Sequence, residues 1–227
     1  MPIPRALAAA GLLAAAAYFG GLVAEARWLL VATKGIPIAV LIVGVLRGPK
    51  TPYARRIAAG LALALVGDMI LMVHTEAAFL AGLVVNLLAH LVYIAAFLGT
   101  TRRPALALLV PYLVWTVPLF LFLQPKLGGM AAPVAAYTAA ITAMMWRAGA
   151  CVGHSPHTRA AQWSAALGAV GFALCDSVLA WHRFHTHLAW ASYVIMSCYW
   201  LGQWGIARSA YLTPRTTRTL ATGAELS

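Results

Sequence analysis

Acidic side chains are scarce in this chain of 227 residues, which carries five Asp and Glu against 16 Lys and Arg. Charged residues of both signs make up only 9% of the chain, and 63% of it is hydrophobic. So few charges do not describe the surface of a soluble domain. The composition therefore predicts an integral membrane protein.

Cysteine and the motifs of common soluble enzymes are scarce as well. Cys151, Cys175 and Cys198 have no metal-ligand spacing, so neither a structural disulfide nor a cysteine metal site is predicted. The sequence contains no phosphate-binding glycine loop, nucleophile elbow or dinucleotide fingerprint. We expect no cofactor and no metal.

Long apolar stretches take up most of the chain. A helix needs about 20 predominantly apolar residues to cross a bilayer core, and eight stretches are of that kind. They cover roughly 6–24, 28–46, 57–73, 77–98, 105–123, 132–148, 161–181 and 188–207. We expect an all-α, polytopic membrane protein with eight transmembrane helices in a single domain over 1–210. A polar cytoplasmic tail, which we expect to be disordered, follows over 211–227.

The net charge of +11 is distributed unevenly over the two faces of such a bundle. Twelve of the 16 Lys and Arg fall on one face and three on the other, while Lys34 lies inside a span. By the positive-inside rule both termini are cytoplasmic. The basic residues therefore indicate topology and contact with membrane lipids rather than nucleic-acid binding. The compact, Ala- and Arg-rich chain favours a bacterial inner membrane.

The two aspartates of the chain, Asp68 and Asp176, both lie inside predicted spans. An ionisable group within the bilayer is energetically costly, so each is a candidate functional residue. In the predicted topology both lie roughly 9 Å below the outer interface, and Lys34 enters from the same face. We expect the three side chains to share one layer and to form the functional centre.

A weak internal similarity relates the segments around the two aspartates. Asp68-x-Ile70-Leu71 matches the Asp-x-Val-Leu pattern that begins at Asp176, 108 residues further on. Parallel duplication of two four-helix halves explains the match. Coincidence among Ala- and Leu-rich helices explains it equally well.

Polar and aromatic residues recur at helical spacing on two other spans. One face of the fourth span carries Gly82, Asn86, His90, Tyr93 and Phe97. One face of the eighth carries Ser192, Ile195, Tyr199 and Gln203. We expect these faces, with Tyr137 of the sixth span, to line a common cavity. Interhelical hydrogen bonding is the alternative for Asn86 and Gln203, and an interfacial aromatic anchor is the alternative for Tyr137.

Four histidines fall on the predicted outer side: His74, His182, His185 and His187. The last three are predicted to lie in a short loop, without the helical spacing of zinc motifs. A solvated, pH-sensitive loop is favoured over a metal site.

The motifs together resemble the YhhN family of eight-helix membrane proteins, which includes lysoplasmalogenases. Lys34-Gly35-Ile36-Pro37 is similar to that family's Lys-Pro-x-Pro region, and Gly67-Asp68 to its Gly-Asp motif. The stretches 79–97, 133–137, 175–177 and 199–203 resemble its later signatures, so that the similarity spans roughly 15–207. Gly35 stands where a proline is expected and Cys175 where a serine is usual.

The resemblance implies hydrolysis of the vinyl ether of a lysoplasmalogen to a fatty aldehyde and a glycerophospho-alcohol. Enol ethers open by acid catalysis, which suits one protonated carboxyl and one carboxylate. Burial raises the pKa of a carboxyl group and a nearby ammonium lowers it, so a pair can divide these roles. We favour Asp176 as the acid, since Gly67 would let substrate approach Asp68 closely. Lys34 either determines which aspartate is the acid and which the carboxylate, or holds the substrate phosphate.

The remaining polar residues of the two helix faces are expected to support the carboxyls or contact the headgroup. These are Asn86, His90, Tyr93, Tyr137, Tyr199 and Gln203.

Two other functions use intramembrane aspartates. A proton- or cation-coupled transporter would account for an internal duplication and an Asp/Lys group, although its helices would be broken at the bilayer centre. An intramembrane aspartyl protease fits less well, because its aspartates lie on neighbouring spans. A scaffold or passive lipid-binding bundle would need neither aspartate.

Overall fold

The computed structural model describes residues 3–212, and every regular element there is helical. The α-helices are α1 (Arg5–Val23), α2 (Arg27–Lys34), α3 (Ile36–Arg47), α4 (Pro52–Ile70), α5 (Glu76–Leu98), α6 (Leu109–Leu127), α7 (Ala131–Ala150), α8 (Arg159–Phe184) and α9 (Ala191–Tyr211). Single 3-10 turns, Leu106–Leu108 and Gly128–Met130, precede α6 and α7. The all-α prediction is confirmed. Residues 213–227 of the predicted tail lie outside the described residues.

Five segments of the described chain are long and apolar enough to cross a membrane. They are Arg5–Val23, Arg27–Arg47, Glu76–Leu98, Leu106–Ala150 and Arg159–Phe184. The fourth contains two of the predicted spans, α6 and α7. Two helices predicted as spans, α4 and α9, are absent from this set, since α4 carries Arg55, Arg56 and Asp68 and α9 carries Gln203 and Arg208. An integral membrane protein is supported, whereas the count of eight spans stays a prediction.

Threonine side chains begin three of the helices. The hydroxyl of Thr51 accepts from the Ala54 N–H at 3.1 Å, and that of Thr75 from the Ala78 N–H at 3.1 Å. Thr158 does the same at the start of α8, with the Ala161 N–H at 3.2 Å. Each bond satisfies one of the amides that a helix N-terminus leaves free. The third predicted span consequently begins at Pro52 rather than 57.

The second predicted span is interrupted for one residue at Gly35, between α2 and α3. Gly35 keeps right-handed helical dihedrals, with φ −83° and ψ −18°, and its carbonyl accepts from the Ala39 N–H at 3.0 Å. Pro37 follows within the first turn of α3 and has no N–H to donate. The interruption is therefore mild, and it makes Lys34 the last residue of α2.

Two adjacent helix pairs form the centre of the bundle. The pairs α4–α5 and α8–α9 have the most extensive interfaces, α7 packs on both α5 and α8, and α3 packs on α4 and α9. Their common core contains Ile57, Leu61, Tyr93, Phe97, Met144, Met145, Phe172 and Ile206. Large apolar side chains also point outward, such as Leu13 (70% exposed), Val114 (68%) and Leu201 (66%). Apolar surface of this extent fits a lipid environment.

Helix α9 extends beyond its predicted end at 207. It continues to Tyr211, whose hydroxyl donates to the Leu41 carbonyl of α3 at 2.9 Å. This bond ties the end of α9 to α3, so the helical domain includes the first residue of the predicted tail.

Glycines bring α8 and α9 into backbone contact. A Cβ on Gly168 would lie 2.6 Å from the Ile206 nitrogen and 2.7 Å from the Gly202 carbonyl oxygen. Small residues at membrane helix interfaces allow this close packing. Because the atoms in the way belong to the backbone, no side chain can move aside to admit a methyl group.

Gly168→Ala is expected to lower the free energy of unfolding by about 1–3 kcal/mol, the usual effect of overpacking. Thermal unfolding of the detergent-solubilised protein measures the change. Gly20→Ala is the matched control, because a Cβ on Gly20 of α1 would meet nothing within 4 Å. Equal melting temperatures for Gly168→Ala and wild type would contradict the packing argument.

Candidate active site

A cavity of about 430 Å³ lies among the helices, and both aspartates and Lys34 line it. Its walls draw residues from α1, α2 and each helix from α4 to α9. Six of the nine predicted site residues face it: Lys34, Asp68, Asn86, Tyr137, Asp176 and Tyr199. The helices therefore bring together residues that are up to 165 positions apart, between 34 and 199.

Asp68 lies in the last turn of α4, which ends three residues earlier than predicted. The Lys34 ammonium donates to the main-chain carbonyl of Asp68 at 3.2 Å and interacts electrostatically with its carboxyl. Asn86 of α5 and Tyr199 of α9 are the polar side chains beside that carboxyl. The Oδ2 atom of Asp68 is buried and has no hydrogen-bond partner within residues 3–212.

Gly67 allows Asn86 to approach Asp68. A Cβ at position 67 would lie 2.5 Å from Asn86 Nδ2 and 2.8 Å from Asn86 Cγ. The Asn86 amide donates back to the Gly82 carbonyl at 3.2 Å, which fixes its orientation. The expectation that Gly67 admits substrate is wrong, because the Asn86 side chain occupies that space.

Asp176 lies two turns before the end of α8, and Tyr137 of α7 binds it directly. The Tyr137 hydroxyl donates to Asp176 Oδ2 at 2.7 Å. The Tyr137 ring in turn packs edge-on against His90, with centroids 4.9 Å apart. This bond gives Tyr137 a role inside the site and argues against the interfacial-anchor alternative.

Three predicted site residues, His90, Tyr93 and Gln203, do not line the cavity. The Tyr93 hydroxyl donates to Gln203 Oε1 at 2.7 Å, joining α5 to α9 within the core. Gln203 therefore forms an interhelical hydrogen bond, the alternative to lining the cavity. His90 is fully buried between the rings of Tyr137 and Phe172, and both of its ring nitrogens lack hydrogen-bond partners within the described chain.

Different parts of the cavity wall differ in polarity. One part, formed by α5, α6 and α7, is apolar and contains Leu83, Leu119, Phe120, Leu123, Val134 and Ile141. Another part lies where the α4–α5 turn meets the end of α8, and it contains His74, Thr75, His182 and Arg183. The aspartates thus share the cavity with an apolar wall and with a basic end.

Sequence reasoning missed some of the wall residues, Tyr18 and Arg183 among them. Tyr18 of α1 faces the cavity and interacts electrostatically with Asp68, but no spacing pattern links it to the other site residues. Arg183 is one of the three basic residues that the charge distribution places on the outer face. Its position seven residues after Asp176 places both on one side of a helix, a signal that was present in the sequence.

The histidines of the outer side are arranged differently from the prediction. His182 belongs to the last turn of α8 rather than to a loop, and its Nδ1 accepts the Leu188 N–H at 3.0 Å. His185 Nδ1 is hydrogen-bonded to the Lys126 ammonium. No group of three or more His, Cys, Asp or Glu in the described range is placed to hold a metal ion.

The chain belongs to the YhhN family, whose model matches residues 29–210. It is 34% identical over 197 residues to lysoplasmalogenase TMEM86B of Homo sapiens, which covers 84% of this chain and 79% of that protein. It is 33% identical over 191 residues to the Rattus norvegicus TMEM86B, covering 84% and 76%. Lysoplasmalogenase TMEM86A of Bos taurus is 32% identical over 167 residues, covering 70% and 66%. No solved structure matches.

These relatives confirm the resemblance that the motifs indicated, and with it the expectation of an enzyme. The matched range includes both aspartates, Lys34 and the polar faces of α5 and α9. Tyr18 precedes it.

Tyr93→Phe is expected to lower the free energy of unfolding by about 1–3 kcal/mol, because it leaves Gln203 Oε1 buried without a donor. The double variant Tyr93→Phe/Gln203→Leu should recover much of this loss, since it removes both members of the bond. Thermal unfolding in detergent measures both effects, and Tyr193→Phe, at a half-exposed ring, serves as the control. A double variant no more stable than Tyr93→Phe would contradict the structural role.

Proposed function

We propose that this protein hydrolyses the vinyl ether of lysoplasmalogens, releasing a fatty aldehyde and a glycerophospho-alcohol. The observation that carries the proposal is that Asp68 and Asp176, four helices apart in the chain, line one cavity. The relatives named lysoplasmalogenase support the reaction class. A membrane-embedded cavity suits a substrate whose reactive bond lies between a polar headgroup and a long alkyl chain.

The polarity of the wall supports one orientation of this substrate in the cavity. The apolar wall formed by α5, α6 and α7 suits the alkyl chain, and the basic end suits the headgroup. A volume of about 430 Å³ lies within the range of small-molecule sites. In this proposal the vinyl ether, which joins chain and headgroup, is the part of the substrate that meets the carboxyls.

Asp176 is the proposed general acid. Tyr137 donates to its Oδ2 at 2.7 Å, which leaves Oδ1 to carry the proton. The Lys34 ammonium lies beside Asp68, to whose main-chain carbonyl it donates at 3.2 Å, so Asp68 is the better site for a carboxylate. This difference between the two carboxyls supports Asp176 as the acid, in place of the expectation that Gly67 lets substrate approach Asp68.

The reaction proceeds by proton transfer from Asp176 to the vinyl carbon remote from the ether oxygen. The adjacent carbon becomes an oxocarbenium ion, which the Asp68 carboxylate stabilises. Water adds to that carbon and gives its proton to Asp68. Collapse of the hemiacetal breaks the bond to the glycerol oxygen, which takes the proton from Asp68. The hemiacetal hydroxyl returns a proton to Asp176, and aldehyde and alcohol leave.

The proposed setting is an eight-span domain with both termini in the cytoplasm of a bacterium. The charge distribution supports this orientation. The extensive α4–α5 and α8–α9 interfaces, each with an aspartate on its first helix, support two related halves. Fusing a reporter to each terminus and measuring its accessibility in intact cells tests the orientation.

Asp68→Asn and Asp176→Asn are each expected to reduce aldehyde release from a lysoplasmenyl lipid by about 10²–10⁴-fold, the usual contribution of general acid–base groups. Purified protein is assayed with choline and ethanolamine substrates. Glu76→Gln is the matched control, since it removes an exposed carboxylate that does not line the cavity.

Two outcomes would contradict this proposal. Wild-type turnover in both folded Asp variants would exclude the two-carboxylate mechanism. A folded wild type that releases no aldehyde from either substrate would instead favour a proton- or cation-coupled transporter, for which ion-dependent uptake into vesicles is the next assay.

Tyr137→Phe is expected to lower kcat by about 10-fold or more, because its hydroxyl stabilises the carboxylate that forms as Asp176 gives up its proton. Hydrogen bonds to charged groups contribute about 1.5–3 kcal/mol. The KM should change less, since the hydroxyl is bound to Asp176 rather than free for substrate. Steady-state kinetics of aldehyde release separate the two parameters. An unchanged kcat would remove Tyr137 from the mechanism, with Tyr193→Phe as control outside the cavity.

A further inference from the structure

Arg183 lies on the same side of α8 as the proposed acid. Asp176, Leu179, Ala180 and Arg183 all line the cavity and follow the i, i+3, i+4, i+7 spacing of one helix face. Seven residues correspond to a rise of about 10 Å. Side chains tilt toward the N-terminus of their helix, so the long Arg183 side chain can reach toward Asp176.

The Arg183 guanidinium has no carboxylate partner within residues 3–212. Its interaction there is with the face of Phe79 on α5, with Cζ 5.1 Å from the ring centroid. Asp68 and Asp176 are the acidic residues of the described cavity wall, and both lie further along the cavity. The charge of Arg183 is therefore available to an anionic ligand.

His182 adds a hydrogen-bond donor beside Arg183. Its Nδ1 accepts the Leu188 N–H at 3.0 Å, so the neutral ring carries its proton on Nε2. Both His182 and His74 line the same end of the cavity. A cation with a neighbouring donor is the arrangement that binds phosphate oxygens.

We propose that Arg183, with His182 and His74, binds the phosphodiester of the lysolipid headgroup. This proposal rests on the proposed function and assigns the phosphate to the outer end of the cavity rather than to Lys34. Lys34 donates to the Asp68 carbonyl and lies beside the Asp68 carboxylate, where a phosphate would add a second negative charge.

Substrate dimensions agree with this assignment. Seven bonds separate the vinyl carbon that receives the proton from phosphorus, which is about 8 Å at ~1.2 Å of advance per bond in an extended chain. The rise of about 10 Å between Asp176 and Arg183, shortened by the tilt of the arginine, matches that span. The proton donor and the anion site can thus contact one molecule at the same time.

Binding of two uncleavable ligands tests the phosphate site. A 1-O-alkyl glycerophosphocholine carries the phosphate, and the corresponding 1-O-alkylglycerol does not. Arg183→Gln is expected to weaken binding of the first about 10-fold, the effect of one charge-assisted bond, and that of the second less than twofold. Arg183→Lys should lose less than Arg183→Gln, since it keeps the charge but not the planar fork.

Lys126→Gln is the control, because Lys126 is a basic residue of the same side that does not line the cavity. Equal loss for both ligands in Arg183→Gln, or no loss for either, would overturn the phosphate site. Aldehyde release by the wild type is measured in parallel. If it is absent, the proposed function fails, whereas release with unchanged ligand discrimination in Arg183→Gln refutes only this inference.

Discussion

Two carboxyl groups and an ammonium inside an apolar helix bundle are the constraint on which the rest of this structure depends. Charges in such surroundings persist only with polar partners or a wet cavity. Lys34, Asn86 and Tyr199 surround Asp68, and Tyr137 binds Asp176. These polar partners line the cavity together with the two carboxyl groups. The helices position them through packing contacts that lie away from the carboxyls.

Close helix packing places the polar groups. The absence of a side chain at Gly67 lets Asn86 reach the Asp68 region, and the glycines of α8 and α9 pack closely the two helices that carry Asp176 and Tyr199. His90 contributes by packing: its ring contacts the Tyr137 ring from outside the cavity and supports the residue that binds Asp176. The geometry of the candidate site and the packing of α5, α7 and α9 are thus coupled.

The apolar stretches, the two aspartates and the periodic faces were readable in the sequence, because hydrophobicity and helical spacing are local properties. Helix ends were less so: α4 begins at a threonine cap and ends at Ile70, and α9 continues to Tyr211. Which residues of a polar face meet the cavity depends on how helices rotate against each other. Asn86 and Tyr199 therefore line it, whereas Tyr93 and Gln203 pair in the core.

The central claim is that an acid held on one side of the vinyl ether delivers the proton to carbon. Hydrolysis in deuterated water, with the aldehyde trapped by rapid reduction, tests it directly. The account predicts one deuterium at the carbon next to the former carbonyl, added to a single face of the double bond. Deuterium distributed equally over both faces, or its absence from that carbon, would contradict a positioned acid in this cavity.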